Sequence, residues 1–451
     1  MMAVLFHPLT LMLATLCIQW VVLASFGSYT VKLPYFALAA IIVFAAVDAR
    51  RVTACLMFVR QNAAWILTFI LYAILLTAAV FGSPAQNVGV RQLFYLAGCI
   101  AFAGSLAAAR NISGILRFGS GLAVVLFIVL VEITARQIGM SWVDAVGEFF
   151  SSGNLRYVVY TFLREVFNAA NPSDDVNFVT SQKNAIAVCV LICGLLFRCA
   201  STRPWRDITG MAFLTVVGLL LLMLNTRSVI IVGALSVLLA ITLRVFAGQA
   251  QNLPFLAFKG LATVAAVAIF FAVSEPSPVS DLMADRFSFD DTSTDSRMLQ
   301  ADAAIDRIAQ HPLTGSGFYE VGGYQVHNLF LNAWMNAGIL AFLLVASFYL
   351  ILVGRWVGFI WSLVRYPERW VLPLAPEWVA PLPLLPFFRV WLSGDGGNLF
   401  LGEWIAVAAF LGLLMANQLR RTALGGAVEA PLVVTPDPRP VPVRRRVGQS
   451  L

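Results

Sequence analysis

Apolar runs of about twenty residues, the length that carries a helix across a bilayer core, recur from one end of the chain to the other. Short polar turns and two long polar intervals separate them. The pattern predicts about twelve spans. They fall at Leu5–Phe26, Leu33–Val47, Ala63–Phe81, Val88–Ala108, Ile115–Thr134, Asn184–Phe197, Ile208–Leu224, Val229–Leu243, Leu253–Val273, Leu329–Val353, Leu372–Trp391 and Leu399–Ala416. The expected fold class is all-α, a polytopic membrane helix bundle with a long helical loop between the ninth and tenth spans. The eleventh segment holds "PLAPEWVAPLPLLPFF". Proline at depth frees carbonyls that neighbouring helices must satisfy, so a broken or re-entrant path competes there with a regular span.

Composition fits this pattern. The 451 residues are 60% hydrophobic and 12% charged, with mean hydropathy +0.84. A soluble domain carries roughly twice that charged fraction. Residues 1–422 are expected to form one integral membrane unit, with no separate soluble domain and no internal repeat. Residues 423–451 are Pro-rich and basic and are expected to be a disordered cytoplasmic tail. The first basic residue, Lys32, follows the first apolar run. A signal peptide's basic n-region is therefore missing, and the run is expected to stay as a span. Cys17, Cys55, Cys99, Cys189, Cys193 and Cys199 all lie away from the long polar intervals, which suits packing. Cys189 and Cys193 share a helix face, but two thiols inside a span make a poor metal site.

Net charge is +7, and its placement argues for topology rather than nucleic acid. One set of alternate loops carries Arg50, Arg51 and Arg60; Arg110 and Arg117; Arg198, Arg203 and Arg206; Arg244 and Lys259; and Arg355, Arg365 and Arg369. Arg420, Arg421 and Arg444–Arg446 follow in the tail. The positive-inside rule puts this set and both termini in the cytoplasm. The long intervals, 137–183 and 274–326, then face outward.

Several cations sit on that outer side against the bias: Arg91 in "NVGVRQLFYLAG", Lys183 in "SQKNAIAV", Arg227 in the tight turn "LNTRSVII", and Arg286 and Arg297 in "MADRFSFDDTSTDSRMLQ". Singly, each reads as a snorkelling or paired cation, and Asp281, Asp285, Asp290 and Asp291 offer partners to the loop arginines. Together they suit an anion, since arginine's planar fork matches phosphate oxygens. "DTSTDSRMLQADAAIDRIAQHP" predicts a loop helix with Thr294, Asp295 and Ser296 as candidate caps and Met298, Leu299, Ile305 and Ile308 as its apolar face. His311-Pro312 ends it. "TGSG", with Gly315 and Gly317, reads as a turn whose N–H groups either serve the turn itself or bind an anion. His327, followed by Asn328, precedes the tenth span. A helix N-terminus disfavours imidazolium, so a neutral imidazole able to accept a proton is expected there; a capping or interfacial histidine is the plain alternative.

"HPLTGSGF" followed by "VHNLFLNAWMNAGILAFLL" resembles the O-antigen ligase and polymerase superfamily, integral glycosyltransferases of bacterial envelopes. "SQKN" opening the sixth span and "TRS" opening the eighth fit the same pattern, and the likeness runs from about Lys183 to Leu350. It implies a metal-independent, inverting transfer without cofactors at the periplasmic face of the inner membrane. The donor would be a glycan on undecaprenyl pyrophosphate. The acceptor would be lipid A–core in a ligase or another lipid-linked glycan in a polymerase. The resemblance assigns His327 to catalysis and Arg227, Arg297 and, more loosely, Arg91 to the donor pyrophosphate. His311, Lys183, Arg286, Asn328, Gly315 and Gly317 are candidate supports. Tyr324 stands where the ligases carry a glycine three residues before the histidine, which leaves ligase and polymerase both open. A transporter of envelope lipids would need ionisable groups near the midplane, and a purely structural subunit gives no reason for these cations to share one side.

Overall fold

In a computed structural model, the protein is described for residues 2–26, 29–81, 83, 88–152, 155–170, 176–202, 204–224, 226–246, 292–317, 326, 328–387 and 401–428. The ninth expected span, Arg286, His327 and residues 429–451 lie outside these. The architecture is helical. α1 (Met2–Leu5) and α2 (Pro8–Thr15) open the chain, and α3 (Leu33–Ala46), α4 (Ala49–Gln61) and α5 (Ala63–Ala79) follow a β-hairpin. Then come α6 (Val88–Ala108), α7 (Ile112–Gln137), α8 (Trp142–Ser152), α9 (Leu155–Ala170), α10 (Val176–Cys199), α11 (Pro204–Leu224) and α12 (Arg227–Phe246). After the undescribed interval come α13 (Thr292–Gln310), α14 (Leu329–Arg365) and α15 (Leu401–Val428). Among the described residues six helices are long and apolar enough to cross a membrane: α6, α7, α11, α12, α14 and α15. The bent pair α3–α4, turned by 104°, would make a seventh.

The first apolar run departs from expectation. It is helical only over α2 and then turns into strand β1 (Val22–Phe26), antiparallel to β2 (Tyr29–Lys32), with Val22 opposite Lys32 and Phe26 opposite Tyr29. Gly27 and Ser28 stand between the strands in the sequence, and Gly-x pairs favour two-residue hairpin loops. The residues before the hairpin are deeply packed: Trp20 meets Phe127 edge-on at 5.4 Å and Phe167 at 5.3 Å. The interval after α7 was expected as loop and contains α8 and α9.

The loops assigned to one side by charge do meet at one end of the bundle. Arg420 donates to the carbonyls of Ala109 and Arg110, Arg355 to that of Gln61 at 2.6 Å, and Arg117 to the Thr209 hydroxyl. Arg198 is buried, pairs with Asp207, and lies over the Trp378 ring at 5.0 Å. His7 belongs to this end too. Its Nδ1 accepts the Leu9 N–H as the cap of α2, and burial with the nearby Arg51 charge lowers its pKa.

The proline-rich segment is not a regular span over its described part. It forms 3-10 turns at Pro367–Arg369 and Pro376–Trp378 and then winds inward with Leu372, Leu374, Val379, Leu382 and Leu385 buried. Its non-helical backbone is satisfied by the bundle, as such backbone must be at depth. The Ala375 N–H donates to the Cys199 carbonyl at 2.9 Å, and the Trp356 indole donates to the Ala380 carbonyl at 2.7 Å.

α14 is broken. Gly338 has φ 79° and ψ −177°, a conformation essentially confined to glycine. The break orphans helical carbonyls, and "HPLTGSG" fills it. The Ser316 N–H donates to the Met335 carbonyl at 2.7 Å, and its hydroxyl to the same oxygen at 3.1 Å. The Gly317 N–H donates to the Asn336 carbonyl, and the Ile339 N–H returns to the Pro312 carbonyl, each at 3.1 Å. The Trp334 indole adds a bond to that same Pro312 oxygen at 2.9 Å. Gly315 and Gly317 have φ of 73° and 75°. A Cβ on Gly315 would come within 2.6 Å of the Asn336–Ala337 backbone, and one on Gly338 would overlap the Leu313 backbone.

Gly338→Ala is therefore expected to cost about 3 kcal/mol or more. Gly218, which has nothing within 4 Å of an added Cβ, should accept alanine without loss. Thermal midpoints of the two variants in detergent check this; equal midpoints would show that the break carries no strain requirement.

Candidate functional site

At the end opposite the arginine-linked face, α10 and α12 are tied together. The Thr226 hydroxyl donates to Asn184 Oδ1 at 3.2 Å, and the Thr226 carbonyl accepts the N–H groups of Val229 and Ile230, each at 3.0 Å. This puts Arg227, the first residue of α12, beside the segment that carries Lys183, which is buried. Only the main chain of Arg227 is described. Four donors open the first turn of a helix, so the start of α12 adds its own positive end to this corner.

α13 covers the start of α14. Ala304 and Ile308 pack with Val326 and Met335 in a small apolar cluster. Asn328 caps α14, its Oδ1 accepting the Phe330 N–H at 2.9 Å and the Leu331 N–H at 3.1 Å. The sequence neighbours of His327, buried Val326 and capping Asn328, are thus both fixed, although His327 itself is not among the described residues. Arg297 is in the first turns of α13, one turn before the buried Gln300; only its main chain is described. The stripe that packs is Gln300, Ala304 and Ile308. Met298, Leu299 and Ile305 are 62%, 66% and 53% exposed, so of the expected apolar face only Ile308 turns inward.

The break in α14 fixes this arrangement. α13 ends where its Arg307 and Ile308 carbonyls accept the His311 N–H, and the His311 carbonyl accepts that of Gly315. The His311 side chain is exposed. The Ser316 and Gly317 N–H groups are committed to α14's own carbonyls. The turn therefore acts as a buttress, and these two N–H groups are not presented to an anion.

Arg91 stands apart. It is exposed on the first turn of α6, near Lys32 at the end of β2. The start of α15 lies between this pair and the Lys183 corner. There the Trp404 indole donates to Gln92 Oε1 at 3.0 Å, and Gly402 faces Val188 and Cys189 of α10. Lys32 was missed as a candidate. It is buried, and burial with the Arg91 charge pushes its amine down to about 8. The signal was present in the sequence: a cation in a short outer turn against the charge bias, the same argument that picked out Arg227.

Residues 178–346 match the family model described as O-antigen ligase. This segment is an O-antigen ligase domain. It contains α10 from its third residue, α11, α12, α13, the buttress turn and the first half of α14. No curated protein matches the chain. The match and the apolar helices support a multi-pass bacterial membrane protein, and the family implies a glycosyltransferase-like activity on lipid-linked glycans. Arg227, Arg297 and His327 all fall inside the domain, while Arg91 and Lys32 precede it.

Lys32, Lys183 and Lys259 are the lysines of the chain, so reductive ¹³C-methylation should give few resonances. Lys32 is expected to titrate near 8. Arg91→Gln should move it upward by removing the nearby positive charge. Because the folded value is depressed, the unfolded chain binds the extra proton, and stability should rise with pH between about 8 and the unfolded lysine value. A Lys32 resonance titrating near the ordinary lysine value would overturn this.

Proposed function

We propose that the chain transfers a glycan from undecaprenyl pyrophosphate to an acceptor hydroxyl at the periplasmic face of the bacterial inner membrane, as an O-antigen ligase, with both termini cytoplasmic. The observation that carries this reading is the position of the chemistry within the matched segment. Arg227 opens α12, Arg297 lies in the second turn of α13, and His327 precedes the Asn328 cap of α14. The Thr226–Asn184 bond and the broken α14 hold those helix starts.

The mechanism follows from the groups. The acceptor oxygen attacks the anomeric carbon as the bond from that carbon to the diphosphate oxygen breaks. Undecaprenyl diphosphate leaves with the bonding pair, and the anomeric configuration inverts. Arg227 and Arg297 hold the departing charge, with Lys183 adding positive potential and Arg91 a looser contact. A diphosphate is a good leaving group, so the reaction needs no carboxylate pair of the glycosidase kind. His327 takes the acceptor proton. Tyr324, where the ligases carry glycine, supports a second reading in which the acceptor is another lipid-linked repeat.

The test is reconstitution of the full chain with an undecaprenyl-pyrophosphate-linked glycan, offering lipid A–core in one arm and only lipid-linked repeats in the other. Coupling to core identifies a ligase and chain growth a polymerase; neither product would reject both readings. His327→Ala should lower turnover by about a hundredfold or more. Arg227→Ala should weaken donor binding by roughly tenfold, and an unchanged donor affinity would remove Arg227 from the diphosphate site.

A further inference from the structure

A cavity of about 300 Å³ opens at the arginine-linked end of the bundle, between α14, the 3-10 turn after it and α15. It is far from the helix starts just described. Arg355, Arg369 and Arg421 line it, and among the described residues no carboxylate does. None of the three arginines pairs with an acid among the described residues, and each is exposed. Arg355 uses one nitrogen on the Gln61 carbonyl. Arg369 is held in place: its guanidinium lies 3.8 Å from the Tyr366 ring centroid, and its N–H donates to the Tyr366 carbonyl. Asn417 fixes the turn from the other wall. Its Nδ2 donates to the Arg369 carbonyl at 2.9 Å, and its Oδ1 accepts the Val371 N–H at 2.8 Å.

One wall of the cavity is not polar. Gly354 and Gly358 line it from α14, are exposed, and have nothing within 4 Å of an added Cβ. Spaced four apart, they leave an open trough along one face of the helix. Trp361 on the same helix is 67% exposed, as aromatic side chains are at the level of lipid headgroups. A triple-positive cavity without acids, at headgroup depth and continued by an apolar trough, is complementary to a phosphodiester that carries acyl chains.

We propose that this cavity binds an anionic glycerophospholipid of the adjacent leaflet, its phosphate held by Arg369 and Arg421 with Arg355 behind, and an acyl chain laid over Gly354 and Gly358. Charge complementarity favours a lipid over a free phosphate, because the trough gives a bare phosphate nothing to touch. The site is independent of the glycosyl-transfer reading, since none of these groups belongs to it.

The full chain, purified in detergent, would be offered equal amounts of phosphatidylglycerol and phosphatidylcholine, and native mass spectrometry would count bound lipid. Phosphatidylglycerol should be preferred. Its affinity should fall roughly fivefold for each arginine removed in R369Q, R421Q and the double variant. Gly358→Leu changes no charge, and its Cβ meets nothing within 4 Å, yet it should also weaken binding by filling the trough. Arg50→Gln, on the same end of the bundle but outside the cavity, should leave affinity unchanged. No preference for phosphatidylglycerol, an unaltered affinity in the double variant or in Gly358→Leu, or an equal loss in Arg50→Gln would overturn the site. Displacement of the lipid by millimolar inorganic phosphate would overturn the lipid assignment in favour of a small-anion pocket.

Discussion

A helix interrupted inside an apolar bundle needs partners for the backbone groups it loses, because lipid supplies none. At Gly338 the partners are Ser316 and Gly317, which give their N–H groups to Met335 and Asn336, and Pro312, which takes that of Ile339. Much of the architecture of the O-antigen ligase domain hangs on this exchange. It ends α13, sets the first segment of α14 apart from the rest, and packs the two together through Ala304, Ile308, Val326 and Met335. Glycines at 315 and 338 are required because the two backbones approach too closely there for any side chain, and all three, Gly317 included, adopt positive φ. The motif halves that resemble the superfamily are thus two sides of one joint.

Below that joint the bundle is conventional. The second segment of α14 packs on α5 and α15 through Trp65, Phe69, Phe348 and Trp404, whose rings stack, tilt or meet edge-on at 4.6 to 6.1 Å. Such contacts add to the apolar burial that a membrane cannot otherwise reward. Above the joint, Thr226 ties α12 to α10 and the apolar cluster packs α13 on α14. Preorganised helix starts stabilise developing negative charge without reorganising, which is what the proposed transfer would use.

Charge made it legible that the arginine-bearing loops share one end of the bundle. Arginines assigned to one face by the positive-inside argument are linked there by Arg420 to Ala109 and Arg110, Arg355 to Gln61, and Arg117 to Thr209. The loop helix was legible from its His-Pro stop and the turn from its glycines; the start was not, because the helix begins at Thr292 and the expected caps Thr294, Asp295 and Ser296 lie inside it. The packing face of α13 was not: Gln300 and Ala304 are buried and Met298 is not, because the partner is the narrow start of α14 rather than a broad apolar surface. The hairpin was hidden because a run of apolar residues reads as helix or strand alike. Lys32 was legible as a cation against the charge bias, but its pairing with Arg91 was not, since the two are far apart in sequence and only the fold brings them together.

The winding proline-rich segment bears on how the chain is made. Its unpaired backbone could not enter lipid alone, and its partners are Cys199 at the end of α10 and Trp356 in α14. Both are synthesised earlier. The helices built first thus hold the partners this stretch needs, so the stretch settles by docking onto an existing wall, while α15 after it is long and apolar enough to cross a membrane itself.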